Sequence, residues 1–348
     1  MSEIDAARLE ALAKRVAGDV GGAMGILLLR IGEQTGLFTS LAKGSATSVQ
    51  LADRAGLAER YVREWAAAMA AAEYIDYDPA SAAFSLSPEQ EQVFACETSP
   101  AYSPPFGDLL VALAHDEPMI TQAFRTGEGI PWGAHNGCLF CCTERRTGQT
   151  VVPQLIKAWL PRVTGALPSV PKIADIGCGR GRAVMAIGEA FPQAQVYGFD
   201  LHQPSIDHAR QGAAEAGLGN VHFIAGPAEH ATESGFDLAL IIDALHDMGD
   251  PVGVAANVRK ILKPGGRFLL IEPFAADRLE DNITPYGRFA YAVSTCVCTP
   301  AALSQPGRNA LGAQAGYARL EQVLIDAGYS QITAVQNEGY NIVIEAVA

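Results

Sequence analysis

The chain has 348 residues, 49% of them hydrophobic and 18% charged, and its 38 acidic against 25 basic side chains give a net charge of −13. That composition excludes a disordered chain, and the acidic balance excludes nonspecific attraction to nucleic acid or to an anionic membrane. No apolar stretch reaches the ~20 residues that a membrane-crossing helix requires, since Gly25–Leu29 is stopped by Arg30. The length suits roughly two domains at ~100–200 residues each.

The start, Met1-Ser-Glu-Ile-Asp5, carries neither the basic nor the apolar region of a secretory leader. A cytoplasmic protein is therefore expected, with its seven cysteines as thiols in a reducing compartment. In chain order, helical patterning covers 6–18 and 21–35, then 48–55 and 59–72 on either side of a short turn at Gly56. Two short strands follow around Asp78-Pro79. Helix, turn, helix and a two-stranded hairpin make a winged helix, assigned to residues 1–98. A DNA-reading helix would need a basic face, yet residues 59–72 set Arg60 and Arg63 against Glu59 and Glu64. Nucleic acid is thus not expected as a partner.

Residues 99–168 form a connector, rich in Pro and Gly at first and helical over 151–160, which holds Trp132, His135 and a cysteine group at Cys138, Cys141 and Cys142. Next, the β-favouring run Lys172–Ile176 leads into Asp175-Ile-Gly-Cys-Gly-Arg-Gly181, and a helical pattern follows. A glycine turn between strand and helix lets a ligand approach the backbone, and the helix start offers free N–H groups and the positive end of its dipole. A second strand, 195–199, ends at Asp200, followed by Leu201, and a carboxylate there can accept bonds from both hydroxyls of a ribose. Strand, glycine turn, helix, strand and acid describe a nucleoside site. Dinucleotide spacing would put a third glycine at 182, where this chain has Arg182.

The spacing Asp175-x-Gly177-x-Gly179-x-Gly181 resembles motif I of the class I S-adenosylmethionine (SAM) dependent methyltransferases. Two further stretches carry the resemblance: 236–247, an apolar strand ending in a polar cluster, and 262–272, Leu-Lys-Pro-Gly-Gly followed by a fifth strand. The resemblance implies an α/β, Rossmann-like seven-stranded SAM domain over 169–348, with a substrate-covering insertion at 274–315 and an antiparallel last strand at 341–347. It implies SAM as cofactor and S-adenosylhomocysteine as product. The cofactor would be held by Asp175, Gly177, Gly179, Gly181, Asp200 and Leu201, by the adenine-edging segment Gly226-Pro227-Ala228, and by Asp243. Many members carry an acid where this chain has Pro227. Tyr61-Val-Arg-Glu-Trp65 and Gly36-Leu-Phe-Thr-Ser-Leu41 resemble the dimerisation domain attached to many small-molecule O-methyltransferases, which implies a homodimer.

Leu245-His246-Asp247 resembles the His-Asp pair whose histidine is the general base in winged-helix O-methyltransferases, with Asp247 as its charged neighbour and Glu272 orienting it from the fifth strand. Histidine suits proton removal because its pKa lies near neutrality. The bland alternative is a helix cap or loop support. Members often have Trp after His-Asp, where this chain has Met248. The reaction expected is methyl transfer to O, N or S of a small molecule, whose identity the residues do not give. A SAM-sensing regulator without catalysis is the reading from another class. Trp132, His135, Cys138, Phe140, Cys142 and Cys298 are the candidate pocket residues. The connector and the insertion can fold over one sheet edge, which would gather up to five thiols. Passive packing, a Cys-only zinc site (for which Cys296-Val-Cys298 is too tight) and a soft pocket for thiol or metalloid acceptors all remain open. No resident metal is assigned.

Overall fold

The computed structural model describes residues 4–165, 167–226 and 234–348. It divides into two compact units, residues 1–115 with 137–149 and residues 116–136 with 150–348. The segment expected as a connector, 99–168, is divided between the two units, with 116–136 and the residues from 150 onward in the second. Pro227 and Ala228 lie outside the described residues.

The first unit begins with one helix, α1 (Ala6–Gln34), capped by the Asp5 side chain. Two helices were expected there, but the glycines at 21 and 22 stay inside the helix, and no proline ends it. Tolerating a helical glycine costs only roughly 1 kcal/mol relative to alanine. After α2 (Leu37–Leu41) come α3 (Ser48–Ala55), closed by a Thr47–Gln50 capping box and left-handed Gly56, and α4 (Glu59–Ala71). The hairpin β1 (Asp76–Asp78) and β2 (Ala83–Ser85) completes the expected winged helix. Its core sets Phe38 edge-on to Trp65 and buries Leu29, Leu51, Val62 and Met69. The Trp65 indole donates to the Leu28 carbonyl at 2.9 Å. Then follow α5 (Pro88–Phe94), α6 (Pro105–Thr126), which crosses from the first unit into the second, and α7 (Gly137–Arg146).

The second unit is built on a seven-stranded sheet. Short α8 (Val152–Gln154) and α9 (Leu160–Thr164) alternate with wide π turns before β3 (Lys172–Ile176), α10 (Arg182–Ala190), β4 (Gln195–Asp200), α11 (Gln203–Glu215) and β5 (Val221–Ala225). After β6 (Phe236–Ile242) come α12 (Pro251–Ile261) and β7 (Leu262–Pro273). The insertion carries α13 (Pro285–Val293) and α14 (Thr299–Leu303), and α15 (Tyr317–Asp326) precedes β8 (Gln331–Glu338) and β9 (Asn341–Val347). The strand order is β5-β4-β3-β6-β7-β9-β8, parallel except for β9, which runs antiparallel to β7 and β8. Buried on both faces, β6 reads Phe-Asp-Leu-Ala-Leu-Ile-Ile, the continuous apolar run that parallel strands require. The connections leave β3 in one direction and β6 in the other. Their carboxyl ends therefore flank the crevice where open parallel sheets bind ligands.

Candidate active site

The glycine turn sits at that crevice. Gly177, Gly179 and Gly181 have φ of 78°, 55° and 78°, left-handed values that a side chain strains against. The amides of Gly177 and Cys178 both donate to the Phe199 carbonyl, at 2.8 and 3.0 Å, which ties the turn to the end of β4. A side chain at Gly181, the residue capping α10, would come within 2.6 Å of the Phe223 ring. A side chain at Gly177 would come within 2.8 Å of Ala244 Cβ and 3.3 Å of Met248 Cε. The glycine turn thus lies directly against the segment that carries His246.

Asp200 has a second task. Its Oδ2 accepts from the Gly179 amide at 2.8 Å and its Oδ1 from the His202 amide at 2.8 Å. Each carboxylate oxygen keeps one further lone pair for a ligand. Burial raises its pKa, and the backbone donors partly offset that. Asp175 is buried, its Oδ1 has no hydrogen-bond partner, and burial together with Asp200 pushes its pKa up to about 7. Leu201 is exposed beside Asp200, and Gly226 donates to the Asp200 carbonyl at 2.9 Å. Asp243 ends β6 in a left-handed conformation, φ 47°, with burial and Glu272 pushing its pKa up to about 7. An orphaned buried carboxylate, three left-handed glycines of which Gly179 faces open space, and a helix start all converge on one crevice, and they fit a nucleoside-bearing cofactor.

Across the turn, His246 lies on the single 3-10 turn Leu245–Asp247. Its Nδ1 bonds Glu272 Oε2, while Glu272 Oε1 accepts from the Leu245 amide at 2.9 Å. Glu272 therefore holds both the ring and its backbone. His246 Nε2 stands 3.2 Å from Asp247 Oδ1. Burial pulls the imidazole pKa down, but Glu272 and Asp247 outweigh it, and the net direction is well upward.

The candidate pocket residues divide between the units. Trp132, His135 and Cys298 belong to the second, whereas Cys138, Phe140 and Cys142 lie on α7 in the first. The Cys142 thiol is buried and pushed up to about 12, chiefly by that burial, and Cys138 Sγ accepts from Arg30 at 3.6 Å. Cys298 lies in the π turn Ser294–Cys298 beside His246 and Asp247, and burial pushes its thiol up to about 12. His135 is held through Nδ1 by Asp116 Oδ2 at 2.9 Å, an oxygen that also accepts from the Asn136 amide at 3.0 Å. Sequence reasoning missed Asp116, which reads as one polar position in a helix, and Gly198, where a side chain would meet Cys178 Sγ at 2.8 Å. The apolar cavity of about 330 Å³ lined by Leu160, Ile173 and Phe191 sits at the amino ends of the strands, away from this crevice.

Residues 170–327 match the family described as "Methyltransferase domain", and residues 22–95 match "Rv2258c-like winged HTH domain". Aklanonic acid methyltransferase DauC of Streptomyces sp. (strain C5) is 33% identical over 105 residues, 29% of this chain and 48% of that protein. The chain spans between 29% and 57% of the length of several curated relatives that it matches. The structure of the mitomycin 7-O-methyltransferase MmcR is similar over 99% of this chain and 100% of its own, with a TM-score of 0.69 at 19% identity. That of human N-acetylserotonin methyltransferase, solved with SAM, is similar over 100% and 99%, with a TM-score of 0.64 at 18% identity. Residues 170–327 thus carry a methyltransferase domain on this seven-stranded sheet and residues 22–95 a winged helix-turn-helix domain before it, in a fold shared with solved O-methyltransferase structures.

Proposed function

We propose that the protein transfers a methyl group from SAM to an oxygen of a small-molecule acceptor, with His246 as general base. The observation that carries this reading is the contact of the glycine turn with the histidine segment, Gly177 against Ala244 and Met248. Cofactor loop and base are thereby fixed to one another. SAM, when bound, supplies an electrophilic methyl group on its sulfonium. Asp175, the three glycines, Asp200 and Gly226 would hold it. In the neutral ring, Nδ1–H donates to Glu272, which leaves the Nε2 lone pair to take the acceptor's proton. Glu272 and Asp247 then hold the imidazolium, and the raised basicity they give His246 suits a weakly acidic hydroxyl.

The dimer reading rests on α1. Leu9, Leu12, Val16, Val20, Met24, Leu27 and Ile31 are all exposed and recur every three or four residues along one stripe. An apolar stripe of that length favours a second copy of the chain. On α4, Arg60 pairs with Glu64 and Arg63 with Glu59, so the second helix of the winged fold has no surplus positive charge for phosphates. Seven free thiols favour a reducing compartment, and no described helix is long and apolar enough to cross a membrane.

The test is methyl-labelled SAM with a panel of phenols, amines and thiols. Transfer to a phenol or other hydroxyl supports the reading. Transfer only to thiols would move it to a sulfur acceptor, and SAM binding without any transfer would make the protein a SAM-sensing regulator.

A further inference from the structure

We propose that His246 Nε2, a carboxylate oxygen of Asp247 and Cys298 Sγ form a binding site for one Zn²⁺ ion. These three donors lie within 4.8 Å of one another, and His246 and Cys298 are buried. Donors around a tetrahedral zinc stand roughly 3.3–3.8 Å apart, given bonds of ~2.0–2.3 Å. Nε2 and Oδ1 are already 3.2 Å apart, and Cys298 Sγ lies within 4.8 Å of the His246 and Asp247 ligand atoms. Cys298 ends a π turn, a local widening of the helix that recurs at functional positions.

The surroundings are those of a ligand sphere. Glu272 accepts a hydrogen bond from the Nδ1–H of His246, which leaves Nε2 as the coordinating nitrogen and raises its basicity. Glu272 is itself fixed by the Leu245 amide. Asp247 Oδ1 is buried without a hydrogen-bond partner, although Nε2 faces it. The ring of His135, fully buried, also leaves its Nε2 without a partner and acts electrostatically on Asp247. The Cys298 thiol interacts with both His246 and Asp247, so one nitrogen, one carboxylate oxygen and one sulfur share a small space in which a cation can replace the protons that now link them. One nitrogen, one sulfur and one carboxylate oxygen select zinc over magnesium or calcium, which take oxygen ligands. On binding, the Zn–S bond forms as the Cys298 S–H bond breaks, and that proton leaves to solvent. Thiolate and carboxylate together then balance the two charges of the ion.

Nε2 cannot coordinate zinc and accept a proton from a substrate at once. Zinc at this site would therefore block the base proposed above, and a chelator would restore it. That consequence rests on the methyl-transfer reading, whereas the site itself does not, so binding is measured without turnover. The full chain, stripped with chelator, is titrated with Co²⁺ and then Zn²⁺. One ion per chain is expected, with a thiolate-to-cobalt absorption in the near ultraviolet that Zn²⁺ abolishes. Cys298→Ser should remove that band and weaken zinc by at least about tenfold, with Glu272→Gln weakening it ~10–100-fold. Cys296→Ser and Cys142→Ser should leave the band intact, and circular dichroism with SAM titration checks that each variant is folded. No cobalt band, or a band unchanged in folded Cys298→Ser, overturns the proposal. Inhibition by zinc with no such band would place the ion elsewhere and overturn it as well.

Discussion

The Gly179 amide donates to Asp200 Oδ2 over 2.8 Å, so the acid at the end of β4 also fastens the glycine turn at the end of β3. Substituting Asp200 therefore removes two things, a pair of acceptors for the ligand's hydroxyls and the clamp on the turn. Asp200→Ala should weaken SAM by about 10²-fold or more, since hydrogen bonds to a charged group contribute ~1.5–3 kcal/mol each. It should also lower the melting temperature of the protein without SAM. Calorimetry giving wild-type affinity would remove Asp200 from the cofactor site.

His246→Ala should reduce turnover by ~10²–10⁴-fold while leaving SAM affinity within about threefold, the range for a general base. Glu272→Gln makes a finer test. Its amide would donate to His246 Nδ1, shift the ring proton to Nε2 and leave no lone pair for the acceptor. Turnover in this variant should fall nearly as far as in His246→Ala, with circular dichroism unchanged. Turnover near wild type would show that Glu272 does not set the tautomer.

Gly181→Ala and Gly179→Ala separate conformation from contact. Both positions have positive φ, but only at Gly181 would the new carbon meet a neighbour, Phe223 at 2.6 Å. Gly179→Ala should cost about 1–2 kcal/mol from the backbone alone. Gly181→Ala should cost a further ~1–3 kcal/mol for the overpacking. Urea denaturation of the two variants, compared without SAM, measures both.

Asp175 gives a pH signature. Its pKa, pushed up to about 7 by burial and by Asp200, exceeds its unfolded value of 3.8. Between those values the folded chain keeps a proton that the unfolded chain has lost, so this residue's contribution to stability falls as pH rises and levels off above pH 7. Asp175→Asn abolishes that loss. Without SAM the difference between Asp175→Asn and wild type should grow steadily from pH 3.8 upward and reach its full size, ~1–3 kcal/mol in favour of Asp175→Asn, by pH 8. The ceiling is ~1.36 kcal/mol for each pH unit that separates the folded and unfolded pKa. A difference independent of pH would mean that Asp175 ionises normally in the fold.

For the dimer, Val16→Arg with Val20→Arg places two charges in the exposed stripe of α1, at side chains 54% and 55% exposed. Sedimentation should show a dimer for wild type and a monomer for the double variant, with the melting of the winged-helix unit changed little. A wild-type monomer, or a double variant that still dimerises, would exclude α1 as the interface.

The local signals in the sequence were strong where backbone chemistry fixes a position. Three alternate glycines after an apolar strand have left-handed φ because the turn demands it, and Asp200 follows from the length of one helix and one strand. The winged helix was legible from the turn at Gly56 and the Asp-Pro turn, and the family resemblance implied the antiparallel last strand at 341–347. The bounds of α1 were not, since glycines 21 and 22 signal a break that a long continuous helix overrides.

Side-chain partnerships across the fold were beyond the sequence. His246 and Glu272 are 26 residues apart, and only the parallel pairing of β6 with β7 brings their ends together. Cys298, in the π turn after α13, stands in one group with His246 and Asp247, a mixed His-Asp-Cys set that spacing along the chain did not show. Asp116 and His135 lie on different segments and meet only through packing. Spacing along the chain encodes turns, caps and strand ends, since these depend on neighbouring φ and ψ. Which distant side chains share a buried space depends on sheet order and helix packing, and only the tertiary structure sets those.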